Sequence, residues 1–287
     1  MICFPNAKIN LGLHVTEKRE DGFHNIETVF YPVGWNDALE VVEAKKQVLV
    51  TSSCHTERSL SGVEKFNLHL SGLPVSGNVS DNLLYKAYEL IQQSKTLPPL
   101  EVYLHKVLPM GAGLGGGSAD AAFFINLLNE QFELKFSETE RMNIARQLGS
   151  DCAFFIKNTP VIAVQKGDVF SDLDLDLSHL YIAIVYPNVH SNTKEAYSLV
   201  KPQKPRRSLS EIIQAPISTW KNELVNDFEK SIFSLYPVVE KTKNELYDLG
   251  AVYASMSGSG SAVFGLFEDE PQIGTLSSFP HWCGKMK

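Results

Sequence analysis

At 287 residues the chain is long enough for roughly two domains, each with its own core, while a net charge of -7 and an isoelectric point near 5.6 argue against nucleic acid or an anionic membrane as partner. The four cysteines, Cys3, Cys54, Cys152 and Cys283, show neither metal-ligand nor disulfide-framework spacing, which points to a reducing cytoplasm. No basic leader followed by an apolar core opens the chain, and no apolar run approaches the ~20 residues of a membrane helix.

Residues 7–15 alternate strictly, so a strand is expected with Ala7, Ile9, Leu11, Leu13 and Val15 on one face. Lys8, Asn10, Gly12 and His14 then share the other face, expected to be polar or solvated. Asp21 and Gly22 signal a turn, after which 23–33 resumes as a strand. Short strands are expected near 38–43, 47–52 and 66–70. Asp81 is placed to cap a helix with Leu83, Leu84, Ala87, Tyr88 and Ile91 on one face.

A strand over 100–107 leads into the most informative stretch, where Gly111, Gly113, Gly115, Gly116 and Gly117 put five glycines in seven positions. Behind them Ala121, Ala122, Ile125, Leu127 and Leu128 recur at helical spacing. Glycine lets the main chain wrap a ligand with several N–H groups pointing inward, and a helix start adds unpaired amides and a positive dipole end. Strand, glycine loop and helix together favour a polyphosphate guest. Two familiar loops are excluded. A Walker A loop needs a lysine after its last glycine, and none lies between Gly111 and Asp120. Gly111, Gly113 and Gly116 fit the dinucleotide fingerprint in letter only, far from the N-terminus and without the acidic-ended second strand.

Ser137 and Glu140 form a capping-box pattern for a helix that Gly149 is placed to end. Asp151 then stands at the mouth of an apolar segment, and composition shifts around 157–160, the expected domain boundary. Beyond it strands are expected over 161–165 and 181–186, with helices after Asn192, Ser208 and Pro237. The charged, proline-rich 201–207 reads as a solvated loop. Residues 251–256 and 262–267 read as a strand pair around a second glycine loop, Ser257 to Ser261.

Three segments, residues 5–11 with Lys8 and Asn10, the 109–122 loop, and 255–264 around Gly258 and Gly260, together resemble the GHMP kinase superfamily. The 7–11 segment, Arg19 to His24, and 148–151 with Asp151 narrow the likeness to its 4-diphosphocytidyl-2-C-methyl-D-erythritol kinase branch, over most of the chain and in order. The resemblance implies a two-domain α/β (α+β) fold with residues 1–157 as an ATP-binding α/β domain. Residues 158–287 would form a ferredoxin-like domain, with the site in the cleft between the two. It implies ATP as phosphoryl donor, a cytidine diphosphate-linked methylerythritol as acceptor, and a monomer or homodimer.

Residue by residue, the resemblance carries the catalytic aspartate onto Asp151 and its lysine partner onto Lys8, which would hold the carboxylate and polarise the acceptor hydroxyl. Asn10 is implied at the substrate polyol or diphosphate. Phe23 and His24 fall on the cytidine segment, where a neutral imidazole presents one donor and one acceptor to the base. Tyr197 falls on a second aromatic, so the base would be sandwiched. Pro109, Met110, Gly111, Ala112, Gly113, Leu114, Gly115, Gly116, Gly117 and Ser118 would supply the ATP cradle. Lys106 would add charge at its edge, and Asn82 would contact adenine. Mg²⁺ is expected with the polyphosphate, Ser118 touching it, and Ser257 and Gly258 would close on substrate phosphates. Phe23 departs from the tyrosine of many members and Ala153 from a frequent proline. Three alternatives stay open: a kinase for another small alcohol such as homoserine or mevalonate, an inactive nucleotide sensor, and a structural module.

Overall fold

A computed structural model describes residues 1–44, 65–75 and 77–286; the strand expected near 47–52, and Cys54, lie outside them. After β1 (Ile2–Cys3), two long strands, β2 (Asn6–Lys18) and β3 (His24–Asn36), form an antiparallel hairpin across the Asp21–Gly22 turn. There follow β4 (Ala38–Glu43), β5 (Phe66–Gly72), α1 (Leu83–Gln92), β6 (Leu100–Lys106), α2 (Gly116–Gln131), α3 (Glu138–Leu148) and α4 (Phe154–Lys157). The hairpin β7 (Val161–Gln165) and β8 (Val169–Asp172) completes this part.

These strands make two sheets, in orders β1-β4-β6-β5 and β2-β3-β7-β8. The second order carries a correction, because β7 hydrogen-bonds to β3 from Ile26 to Phe30. The chain leaves this sheet after Asp172, not at the composition shift of 157–160. Helices α1 to α4 cover the first sheet, and Phe66, Tyr88, Phe124 and Phe154 fill the core between them.

The face assignment along β2 also needs correcting in two respects. Pairing with β3 shifts register between Leu11 and Leu13, around Gly12. One extra residue in one strand turns later side chains to the opposite face. Ala7, Ile9 and Leu11 thus pack in one core, Leu13 and Val15 in another. The face of Lys8 and Asn10 is not solvated either, since both are buried, at 3% and 2% exposure.

Asp81 does not cap α1. It closes a short turn with Asn78, and Asn82 is the cap, its Oδ1 accepting from the Leu84 amide at 2.9 Å. Ser137 and Glu140 do form the expected capping box of α3, which ends at Gly149.

The second part runs β9 (Tyr181–Val185), α5 (Thr193–Ala196), α6 (Leu209–Ile213), α7 (Ile217–Glu223), α8 (Glu229–Leu235), α9 (Pro237–Asp248), β10 (Tyr253–Met256), β11 (Val263–Phe267) and β12 (His281–Lys285). Its sheet, in order β10-β11-β9-β12, is antiparallel throughout. Strand, helices, two strands, a 3₁₀ turn at Gly274–Ser278 and a closing strand reproduce the ferredoxin-like arrangement. Backbone pairing and a common core are among the ties that join the parts. Residues 225–227 lie along β2, with Leu13 N–H donating to Val225 O and Asp227 N–H to Leu13 O, each at 2.9 Å. A shared core packs Ile9, Tyr31 and Trp35 with Ile184, Tyr253 and Phe264.

Candidate active site

The buried ammonium of Lys8 is the centre of the site. Its Nζ donates to Asn10 Oδ1 at 2.6 Å and to the Gly113 carbonyl at 3.0 Å, and it stands 3.5 Å from Asp151 Oδ2. Phe30 covers it from the side, 4.9 Å from Nζ to the ring centroid. Burial pushes the Lys8 pKa below the ordinary 10.5, and the charge of Asp151 opposes that shift. Asn10 is committed within the protein: its oxygen holds Lys8 and its nitrogen donates to Thr28 Oγ1 at 2.9 Å. Asp151 sits in the turn between α3 and α4 and is partly open to the cleft, with 31% of its side chain exposed.

The glycine loop hangs from the end of β6. Gly113 has φ +79° and Gly115 φ +73°, both left-handed. A Cβ on Gly113 would stand 2.0 Å from the Ser257 carbonyl oxygen, and one on Gly115 2.9 Å from Phe155 and 3.3 Å from Lys8. Glycine is thus demanded twice over, by conformation and by close approach. Gly115 is also the N-cap of α2 and provides no side chain to its first amides. A 16-residue helix that starts without a side-chain cap offers the kind of N-terminus that suits an anion.

The second glycine loop buttresses the first. Ser257 Oγ donates to the Gly113 carbonyl at 2.9 Å, and Asn226 Nδ2 donates to Met256 O and Gly258 O, both at 2.8 Å. Ser257 is buried and engaged with protein, whereas Gly258 and Ser259 line the cleft. Lys8, Asn10, Ser118, Asp151, Thr193 and Tyr197 join them around a volume of ≈ 340 Å³, drawn from both parts of the chain.

Behind the loop is a smaller cavity of ≈ 160 Å³ with apolar walls that include Leu68, Val79, Leu83, Leu104 and Met110, and Asn82 at its side. Lys106, expected as a charge at the cradle's edge, lines this cavity with its charge already paired. It is buried between Asp37 and Asp120, the latter at 2.8 Å. Asp37 Oδ1 also accepts from the Val107 and Leu108 amides at 2.6 and 2.8 Å, fixing the exit of β6 into the glycine loop. Burial drives the Asp120 carboxyl up to about 7; Lys106 pulls it down and Asp37 pushes it further up.

On the other side opens an aromatic cleft of ≈ 650 Å³, lined by Phe23, His24, Arg146, Lys166, Lys194 and Tyr197 among others. Phe23 is 60% exposed, with Lys166 Nζ 5.3 Å above its ring. Tyr197 does not stand free as the second slice of a sandwich. The His24 ring stacks on it at 4.4 Å and 18°, and Phe228 meets it edge-on. Burial, then the nearby Lys18, hold the His24 pKa below 6.5, so the ring is neutral at neutral pH. The two clefts share Ser150, Lys166, Thr193 and Tyr197.

Asp37, Asp120, Thr28 and Asn226 carry no short-range signal. Each acts on a residue brought near only by the fold, and only a buried-polar pattern across distant elements could have marked them.

Residues 82–158 match the family described as GHMP kinases N terminal domain, and residues 209–278 that of GHMP kinases C terminal. The 4-diphosphocytidyl-2-C-methyl-D-erythritol kinase of Bacteroides fragilis is 51% identical over 283 residues, covering 99% of this chain and 98% of that protein. A crystal structure of 4-(cytidine 5'-diphospho)-2C-methyl-D-erythritol kinase matches with TM-score 0.80 at 28% identity, covering 100% of this chain and 99% of that one. A homoserine kinase from Cytophaga hutchinsonii, at TM-score 0.62 and 16% identity over 99% and 95% of the two chains, shares the fold. The chain belongs to the GHMP kinases and, within them, to the 4-diphosphocytidyl-2-C-methyl-D-erythritol kinase family.

Proposed function

We infer that this chain transfers the γ-phosphoryl group of ATP to the tertiary 2-hydroxyl of 4-diphosphocytidyl-2-C-methyl-D-erythritol, a step of the non-mevalonate route to isopentenyl diphosphate. The observation that carries the reading is the Lys8–Asp151 pair, 3.5 Å apart in the cleft that Gly113, Gly115 and Ser118 of the glycine loop also line. At that separation the pair is too long for a good hydrogen bond. A hydroxyl entering between the two groups accepts from Lys8 Nζ and donates to Asp151 Oδ2. As the new O–P bond forms and the bond from the γ-phosphorus to the β-bridging oxygen breaks, the hydroxyl proton passes to Asp151. Lys8 meanwhile stabilises the negative charge.

The open amides of α2 and the glycine loop fit the ATP phosphates, and the apolar cavity beside Asn82 fits its base. Mg²⁺ supplies charge neutralisation on the polyphosphate. Ser118, on the wall of the transfer cleft, offers a hard oxygen to it. The ion would be shared with the phosphates of ATP, as Mg²⁺ commonly is. Phe23 and neutral His24, backed by Tyr197, would hold the cytosine. Homoserine or mevalonate would leave that cleft unused.

The three described cysteines are free thiols, in keeping with a reducing cytoplasm, and among the described residues no helix is long and apolar enough to cross a membrane. The test is mass detection of a monophosphorylated product from the cytidyl acceptor, ATP and magnesium. Turnover of homoserine or mevalonate in its place would overturn the reading.

A further inference from the structure

We propose that Arg146 and Lys194, with Lys166 as third cation, form a clamp for the diphosphate bridge of the acceptor. The inference rests on the proposed function, since it concerns the link between a cytosine in the aromatic cleft and a polyol at Lys8 and Asp151. Any such molecule must cross where the two clefts meet, at Ser150, Lys166, Thr193 and Tyr197. Arg146 lies one helical turn before Ser150, and Lys194 follows Thr193, so both flank that passage.

The charges there run against the molecule as a whole. A chain of net charge -7 lines this cleft with Arg146, Lys166 and Lys194 and with one carboxylate, Asp168. Among the described residues none of the three cations has a carboxylate partner within 4.0 Å. Arg146 NH1 donates to Asn143 Oδ1 at 2.9 Å, which leaves its other N–H groups for a ligand. Among the described residues Asp168 keeps one buried oxygen without a hydrogen-bond partner, and two other nearby carboxylates are engaged elsewhere. Asp151 faces Lys8, and Glu195 accepts from the Asn192 amide and the Tyr236 hydroxyl.

The cations also answer a problem the reaction poses. A triphosphate and a diphosphate must lie in one cleft while repelling each other, and the amides of the glycine loop serve the triphosphate. A second, separate set of donors lets both anions bind together, and guanidinium and ammonium groups suit phosphate oxygens.

The test compares cytidine 5'-diphosphate with cytidine by titration calorimetry, on wild type, Arg146→Gln, Lys194→Gln and the double variant, with thermal unfolding as a check on folding. Wild type binds the diphosphate more tightly than cytidine. Each substitution weakens the diphosphate by roughly tenfold, as for loss of one charge-assisted contact, leaves cytidine affinity alone, and flattens the salt dependence. Arg146→Lys keeps more affinity than Arg146→Gln. A folded double variant that binds the diphosphate like wild type overturns the clamp, as does an equal loss for cytidine. Failure of the functional reading looks different: the wild type then leaves the cytidyl acceptor unphosphorylated, whatever these variants bind.

Discussion

Lys8 is a buried ammonium that donates to Asn10 and Gly113 and faces Asp151 at 3.5 Å, so its charge is both costly and placed. Lys8→Ala and Asp151→Asn should each lower kcat by ~2–4 orders of magnitude, the usual range for losing a proton-handling group. Near-native turnover in steady-state assays of either variant would remove the pair from the mechanism. Because burial depresses the Lys8 pKa from 10.5, the charged, active form is lost as pH rises through that lowered value. The activity profile should therefore fall at a midpoint below 10.5, and Lys8→Arg, always charged, should move the surviving alkaline limb upward. A limb unmoved in Lys8→Arg would belong to another group. His24 acts at the opposite end of the scale. Its pKa lies below 6.5, so as pH falls through that value the ring gains a proton and loses its acceptor, and KM for the acceptor substrate should rise. A His24→Gln variant, which cannot titrate, should show no such rise over the same range.

At the scale of elements, the glycine loop works by pressing one backbone against another. Gly113→Ala forces a Cβ onto the Ser257 carbonyl at a left-handed φ, an arrangement costing about 1–3 kcal/mol unless the loops part. Because parting them removes the Gly113 carbonyl from Lys8, KM for ATP should rise and kcat fall together. A crystal structure of the variant with both loops undisturbed would contradict this. What the chain reveals before folding follows the same division of scale. The capping boxes at Ser137, Asn192 and Ser208 are readable because donor and acceptor lie within three residues. The glycine loop is readable because left-handed conformation and close approach leave only glycine at Gly113 and Gly115. The reversal of faces past Leu11 is not, since a bulge exists only relative to the partner strand. Nor is β12, an edge strand whose half-buried residues alternate too weakly to show. Asp151 and Lys8 stand out by resemblance, and nothing in their local chemistry marks them as a pair.

At the scale of the whole molecule, the Asp37–Lys106–Asp120 cluster joins the β3–β4 connection, the end of β6 and the second turn of α2 beneath the apolar cavity beside Asn82. Two carboxylates share one ammonium, and all three side chains are buried. One charge is therefore in excess, and burying it is costly. With its carboxyl raised from 3.8 to about 7, Asp120 keeps a proton in the folded state over a range in which the unfolded chain has released it. The native state binds more protons there, so this group's contribution makes stability fall as pH rises from 3.8 towards 7, and the cost is complete above that. Asp120→Asn keeps the shape, leaves Lys106 paired with Asp37 and abolishes the titration. Urea unfolding should find the variant more stable than wild type at pH 8, with the difference shrinking as the pH is lowered to 5. A variant less stable at pH 8, and relatively better at pH 5, would mean that the second carboxylate is a net stabiliser held ionised by Lys106.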